Sequence, residues 1–399
     1  MNFGRADKLM PQEETLELQK SKRNLSIGIP REITAQENRI ALVPNAVSQL
    51  IQQGHELFIE SEAGADAHFT DVEYSEAGGR IVYTAEEVYQ ADIILKVAPL
   101  SLHEINYLKS RQTIISSLQL TSQNKEYFKK LIEKKATALA FEYIKDKSGS
   151  FPILQSMSEI VGRACIFIAE EYLSDKKYGK GKMFGGFPGV TPTDVVIIGA
   201  GTVGLNAAKA AISNGASVKV FDDNIYKLRK LQTEINSSVY TSIMQPGVLL
   251  KALRSADVVI GALYSREGIT DYVVTEDMVR QMKPGTVIID VSIDQGGCVE
   301  TSDLTTHRNP VITKYDITHY GVPNIASKYA HTASYALSNF FTPVIKKIGE
   351  EGGVRNLLRS DYGICQGAYL FNGILTSKHI SELYDLPFQN IDLLMAAFE

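Results

Sequence analysis

The chain has 399 residues, 44% apolar and 22% charged, with a net charge of −5. At about 150 residues per domain this is two or three domains with ample core, and an acidic chain without a basic block argues against nucleic acid as a partner. Cys165, Cys298 and Cys365 form no C-x-x-C pair, no continuous apolar run approaches the ~18 residues of a bilayer span, and residues 1–24 hold no apolar signal region. Disulfide scaffolds, thiolate zinc sites, membrane proteins and disordered tails are thereby set aside, and a cytoplasmic enzyme or binding protein is left.

Residues 1–24 are polar, with Leu16 and Leu18 the main apolar points of their second half. They read as a frayed extension or a short docked helix. LSIGIP predicts a buried strand that ends at proline. ALVPNAVSQLIQQG predicts a turn and then a helix closed by Gly54. HELFIES is strand-like, TAEEVYQA helical, and ADIILKVA, TIISSLQL and ATALAFEYI are continuous apolar runs of the kind parallel strands show. A long helix is expected from about Ser158 to Leu173, with Ser158 and Glu159 near its N-terminus. The segment KKYGKGKMFGGFPGVTPTD is rich in Gly and Pro and marks a boundary. Beyond it the alternation resumes: DVVIIGAGTVGLNAAKAAISNGASVKVFDDN, SADVVIGAL, a helix about Thr275–Met282, KPGTVIIDVSID, and a short strand near PVITKYD. From about His331 the chain reads as helix. Strands alternating with helices at this spacing imply an α/β fold with mostly parallel sheets.

Gly199, Gly201 and Gly204 form G-x-G-x-x-G, with Thr202 and Val203 inside the motif. It follows the strand VVII, opens a helix, and is followed by a strand ending at Asp222, 23 residues after Gly199. That is the context of a dinucleotide-binding turn: glycines for the tight turn, the approach to pyrophosphate and helix packing, and an acid for ribose hydroxyls. Asp222 followed by Asp223 repels a 2′-phosphate, so NAD(H) is expected rather than NADP(H). Lys227 stands one turn further on, as a ribose contact or a solvated surface lysine.

Four other positions place polar chemistry where a buried site would need it. Arg39, between REITAQEN and IALVP, is either a bidentate carboxylate clamp or a surface arginine. Lys96, inside an apolar run, either emerges at a strand end or is buried with a depressed pKa and a chemical role. Asp294 follows TVIIDVSI at the carboxyl end of a parallel strand, where α/β sheets hold ligands. Asp290, within the strand, reads as structural. Asn324 in GVPNIAS is a ligand contact or turn chemistry. The seven histidines form no H-x-x-x-H or H-E-x-x-H pattern, so no metal site is indicated.

From Ser26 to the C-terminus the chain resembles the alanine dehydrogenase / pyridine nucleotide transhydrogenase family. GIPREITAQENRIALVP, ILKVAP, QSMSEIVGR, GGFPGVTPTDVVIIGAGTVG, MKPGTVIIDVSIDQGGC and TASYALSN carry the resemblance. Asp294 in DQGG and the segment QSMSEIVGR are more similar to alanine dehydrogenases than to the transhydrogenase subunit. The resemblance implies that Arg39 clamps the substrate carboxylate and Lys96 engages its carboxylate or carbonyl. It implies proton transfer at Asp294, adenosine-ribose binding at Asp222, a cofactor-side serine at Ser158 and a nicotinamide-side asparagine at Asn324. It further implies NAD as cofactor, a small 2-amino/2-oxo acid as substrate, and a homo-oligomer, hexamer or dimer.

One position departs from the family pattern. The dehydrogenases carry a catalytic His in a Leu-His-Leu strand end, and this chain has Leu118-Gln119-Leu120. Glutamine holds a hydrogen bond but exchanges no proton near pH 7. The expected activity is oxidative deamination of L-alanine to pyruvate or its reverse, with Asp294, Lys96 and water carrying protons and Gln119 orienting the substrate or water. Two alternatives stay open: the NAD(H)-binding component of a proton-translocating transhydrogenase, and an NAD(H)-binding protein with weak or no activity. The expected architecture is two Rossmann-like doubly wound domains with a cleft between them. The substrate domain comprises 25–152 and 331–399, and the NAD-binding domain 153–330.

Overall fold

The computed structural model describes residues 22–235, 238–264 and 271–397. The expected N-terminal extension, with Leu16 and Leu18, therefore lies almost wholly outside the described residues.

Six strands come first: β1 (Ser26–Ile29), β2 (Glu56–Glu60), β3 (Arg80–Val82), β4 (Ile93–Leu95), β5 (Thr113–Ser116) and β6 (Thr137–Ala140). Seven follow: β7 (Asp194–Ile198), β8 (Ser217–Phe221), β9 (Tyr240–Ser242), β10 (Val258–Gly261), β11 (Val287–Asp290), β12 (Val311–Lys314) and β13 (Ile317–Tyr320). The last two are β14 (Ala368–Phe371) and β15 (Ile374–Leu375). One sheet has the order β15-β14-β6-β5-β4-β1-β2-β3, the other β12-β13-β11-β10-β7-β8-β9. Pairing is parallel except for β14 with β6, β15 with β14 and β12 with β13. Both sheets are doubly wound α/β. From β1 the chain moves outward one way to β3, then restarts at β4 on the other side of β1, and β7 and β10 repeat the pattern. Each sheet therefore has a switch point, where loops leaving the strand ends diverge and open a crevice.

The apolar runs are continuous because both faces of each sheet are covered. Ile93 and Leu95 pack into one core and Ile94 into another; Val195 and Ile197 likewise face away from Val196 and Ile198. The antiparallel hairpin β14–β15 had no sequence signal in the reading above, because two strands of four and two residues are too short for periodicity.

The long helix begins six residues earlier than expected, at Pro152, and runs to Ser174. Proline is favoured at a first helical position, where its missing N–H costs nothing. Ser158 thus sits in the second turn, not at the cap. By length and composition this helix could cross a membrane, against the expectation that no run qualifies. In the fold it is a core helix that packs on helices Thr202–Ser213 and Ala330–Glu350. Gly162 makes the first contact possible: a Cβ there would lie 2.4 Å from the Val203 carbonyl oxygen.

Candidate active site

The glycine motif is built as its spacing demands. Gly199 has φ +108, and a Cβ on Gly204 would meet the Gly199 carbonyl oxygen at 1.9 Å. The helix beginning at Thr202 can approach β7 this closely only without a side chain at Gly204. A Cβ on Gly201 would meet nothing within 4 Å, so the loop presents bare backbone to open space in front of the helix N-terminus, with Thr202 and Val203 in its first turn. Asp222 ends β8 almost buried. One carboxylate oxygen accepts from the Ala200 amide (2.8 Å) and the other from the Asn224 amide (2.7 Å), with Lys227 Nζ at 3.6 Å. Gly201, Asp222, Asp223 and Lys227 line one cavity of about 580 Å³ that continues past Leu263 to Tyr264. An adenosine ribose and a pyrophosphate fit this donor and acceptor set: free amides at a helix start, and a fixed acid at the neighbouring strand end.

Across the molecule, Arg39 lies in an irregular segment after β1. Its neighbours' amides are capped by serine hydroxyls from elsewhere: Asn38 N to Ser327 (2.8 Å), Ile40 N to Ser334 (2.9 Å), Val43 N to Ser338 (2.8 Å). Ser334 and Ser338 stand four apart on one face of helix Ala330–Glu350, which is why TASYALSN matters physically. The Arg39 guanidinium is held by Glu37, Nε to Oε1 at 2.7 Å and Nη2 to Oε2 at 2.6 Å, while Nη1 reaches the Met157 sulfur at 3.4 Å. Burial works against the charge, but Glu37 outweighs it and raises the pKa. Asn324, at φ +55, donates to the same Glu37 carboxylate at 3.1 Å. Glu37 thus joins two expected site residues, yet nothing in the sequence distinguished it from any loop glutamate. Ser158, which follows Met157 on the long helix, is half-buried.

Lys96 takes the buried one of its two expected places, but without the depressed pKa expected there. It follows β4 at the switch point, but its ammonium is fully buried, 2.7 Å from Glu104 Oε1 and 3.4 Å from Glu32 Oε2. Tyr89 OH also donates to Glu104 (3.2 Å). Burial alone would lower the lysine pKa, but the two carboxylates overcome it and the net shift is upward, not the depression expected of a reactive lysine. Burial pushes Glu32 up to about 7, against the pull of Lys96 and of the Val97 amide.

Gln119 caps a tight turn after β5 at φ +46, with its side chain exposed. The amides of Leu118 and Gln119 both donate to Glu142 Oε1, at 2.7 and 3.2 Å, and burial raises the Glu142 pKa. Asp294 lies in a short 3-10 turn, Val291–Gln295, after β11. Its side chain is exposed, but surrounding protein desolvates it and raises its pKa despite backbone amides that pull the other way. Asp290 is structural: it accepts from the amides of Ser292, Cys298 and Val299 and folds the turn that presents Asp294. Cys298 is wholly buried behind it, its thiol pushed well up by burial. The turns holding Gln119 and Asp294 face one cavity of about 880 Å³, lined by Leu118, Leu120, Gln295 and Tyr264 among others. Tyr264, itself largely exposed, also lines the nucleotide cavity, so the two spaces share it as a wall residue. Among the described residues no group of three or more His, Cys, Asp and Glu is placed to hold a metal.

Family models confirm where these motifs belong. The alanine dehydrogenase/PNT N-terminal domain matches residues 28–161, and the C-terminal domain of the same description matches 165–378. The chain is 38% identical over 364 residues to an alanine dehydrogenase of Methanococcus maripaludis, covering 91% of this chain and 97% of the relative. It is 36% identical over 367 residues to one of Staphylococcus saprophyticus, covering 92% and 98%. A solved L-alanine dehydrogenase superposes with TM-score 0.84 at 34% identity, over 90% of this chain and 99% of that one. A transhydrogenase from Sinorhizobium meliloti shares the fold at TM-score 0.75 and 22% identity, over 89% and 99%.

Proposed function

The chain belongs to the alanine dehydrogenase/PNT family, and from that premise we propose that it is an NAD-dependent dehydrogenase interconverting L-alanine with pyruvate and ammonium. The observation that carries the reading is a pair of cavities that share Tyr264 in their walls, one fit for a dinucleotide and the other bordered by the Asp294 and Gln119 turns. NAD supplies the carrier that takes hydride from Cα of the amino acid.

Arg39 holds the substrate carboxylate by the guanidinium edge that Glu37 leaves unused, since Nε and one Nη2 proton are already spent. Asp294, with its raised pKa, is the group placed to give and take the proton as water adds to the imine and ammonia leaves. Gln119 orients that water without exchanging a proton. Lys96 acts as a positioning residue: beyond the end of β4 it holds Glu32, in the segment after β1, and Glu104, at the start of the helix Glu104–Tyr107. Asn324 ties the nucleotide side of the cleft to Glu37. In this reading residues 25–152 with 331–399 form the substrate domain and 153–330 the NAD domain. The cleft closes during turnover, and the enzyme works as a cytoplasmic homo-oligomer.

The test is NADH oxidation by the purified chain with pyruvate plus ammonium. Turnover that depends on both supports the reading. NADH binding without turnover on pyruvate, glyoxylate or any larger 2-oxo acid overturns it, and hydride exchange between NADH and an NADP analogue would mark a transhydrogenase component instead.

A further inference from the structure

The cavity beside Gln119 and Asp294 is far larger than a methyl side chain requires. Its volume of about 880 Å³ is in the range of sites that enclose whole drug-sized ligands. It starts at the residues flanking Gln119 and Asp294, namely Leu118, Leu120 and Gln295, and runs away from the nucleotide cavity. Its far wall is the C-terminal segment: the start of β14 with Tyr369, and the helix Lys378–Tyr384 with Ile380, Leu383 and Tyr384. The Tyr384 hydroxyl fastens this helix to the Gln119 turn by donating to the Gln123 carbonyl at 2.8 Å. No carboxylate lines the cavity, but Gln366, Thr376, Ser377 and His379 do, and its ammonium, Lys145, lies over the Phe151 ring at 5.4 Å from the centroid.

We propose that this cavity is a side-chain subsite, and that the enzyme also reductively aminates 2-oxo acids bearing branched aliphatic or aromatic side chains. The proposal rests on the dehydrogenase reading above and extends its substrate class. The chemistry is that of pyruvate: R–CO–COO⁻ with NH₄⁺, NADH and H⁺ gives R–CH(NH₃⁺)–COO⁻, NAD⁺ and water. The C=O bond breaks and its oxygen leaves as water, a C–N bond forms, and C2 gains the hydride. Arg39 holds the carboxylate as before, and R points past Leu118 and Leu120 into the cavity. An apolar R suits the part of the lining made by Leu118, Leu120, Ile380 and Leu383, where burial of apolar area is the gain on offer.

The experiment compares kcat/KM for pyruvate, 4-methyl-2-oxopentanoate, phenylpyruvate and 2-oxoglutarate, each with ammonium and NADH. The expected result is turnover of both apolar substrates within about tenfold of pyruvate or above it, since each well-placed methylene contributes roughly 10-fold or more. Thr121→Trp and Leu383→Trp fill the cavity from opposite walls at exposed positions. Each should lower kcat/KM for the two apolar substrates at least tenfold and leave pyruvate unchanged. Turnover of pyruvate alone overturns the subsite while the dehydrogenase reading stands. A preference for 2-oxoglutarate overturns the apolar class, and loss of pyruvate and bulky substrates in equal measure in both variants removes the cavity from the reaction. Turnover of none of the four defeats the underlying reading itself.

Discussion

Asn324 donates its side-chain amide to Glu37 at 3.1 Å, and the same carboxylate grips Arg39 through two nitrogens. One buried anion therefore orients the substrate clamp and also ties it to the segment that follows β13 on the nucleotide side. A charge-assisted hydrogen bond contributes about 1.5–3 kcal/mol. Glu37→Gln should accordingly lower kcat/KM for pyruvate by roughly 10–100-fold, with most of the change in KM. Unchanged steady-state constants in Glu37→Gln would show that Arg39 needs no such support.

The glycine motif allows a clean separation of folding from binding. Gly201→Ala places its methyl in open space that only a ligand would fill. NADH affinity should fall at least tenfold, by fluorescence titration, with the melting temperature kept. Gly204→Ala drives a methyl into the Gly199 carbonyl. That variant should lose several degrees of melting temperature as well, because the β7-to-helix approach must open.

At position 119 the missing imidazole can be restored. Gln119→His should raise kcat by up to about 100-fold and add an ionisation near pH 6.5 to the kcat profile, as a positioned general acid–base would. A fall in kcat would show that the glutamine serves a specificity of its own.

Asp294→Asn keeps the shape of the turn and removes the proton. It should reduce kcat at least 100-fold and abolish the acid limb of the pH–rate profile, with NADH affinity within threefold. In the unaltered enzyme that limb should lie above the ordinary aspartate range, because desolvation raises the Asp294 pKa. A limb that survives in Asp294→Asn would assign the proton to another group.

Stability should fall with acid for a reason far from the cleft. His319 is wholly buried in β13, bonded to Thr301 Oγ1 at 2.7 Å, and burial lowers its pKa to about 4. Between pH 6.5 and 4 the unfolded chain binds a proton that the folded one refuses, so stability rises with pH across this window and is lost as pH falls. The full effect is on the order of 3 kcal/mol. Urea unfolding at pH 7 and pH 5 should show it, and His319→Gln should flatten that part of the dependence.

Much of the site was legible because its chemistry is local. The glycine loop and Asp222 stand within one β–helix–β unit, and their spacing already dictates which backbone faces a ligand. Asp294 was legible because a strand end and two glycines bracket it in sequence. Glu37, Glu142 and Glu32 were not, since their partners are distant along the chain: Glu37 meets Asn324 across 287 residues, and Glu142 holds the Gln119 turn from 23 residues away. For Lys96 the burial was legible and the direction of its pKa shift was not. An apolar run shows that a lysine is buried, but not that two carboxylates wait to neutralise it.

The amino-acid order alone thus determined the α/β alternation, the dinucleotide turn, the absent histidine and the family, because hydrophobic period and short motifs are properties of neighbours along the chain. Only the tertiary structure decided that Lys96 is sealed, that Glu37 couples Arg39 to Asn324, and that a wide cavity of mixed lining opens beside the residues flanking Gln119. Burial, ion pairing and empty space arise only when distant segments are brought together, and no local spacing encodes them.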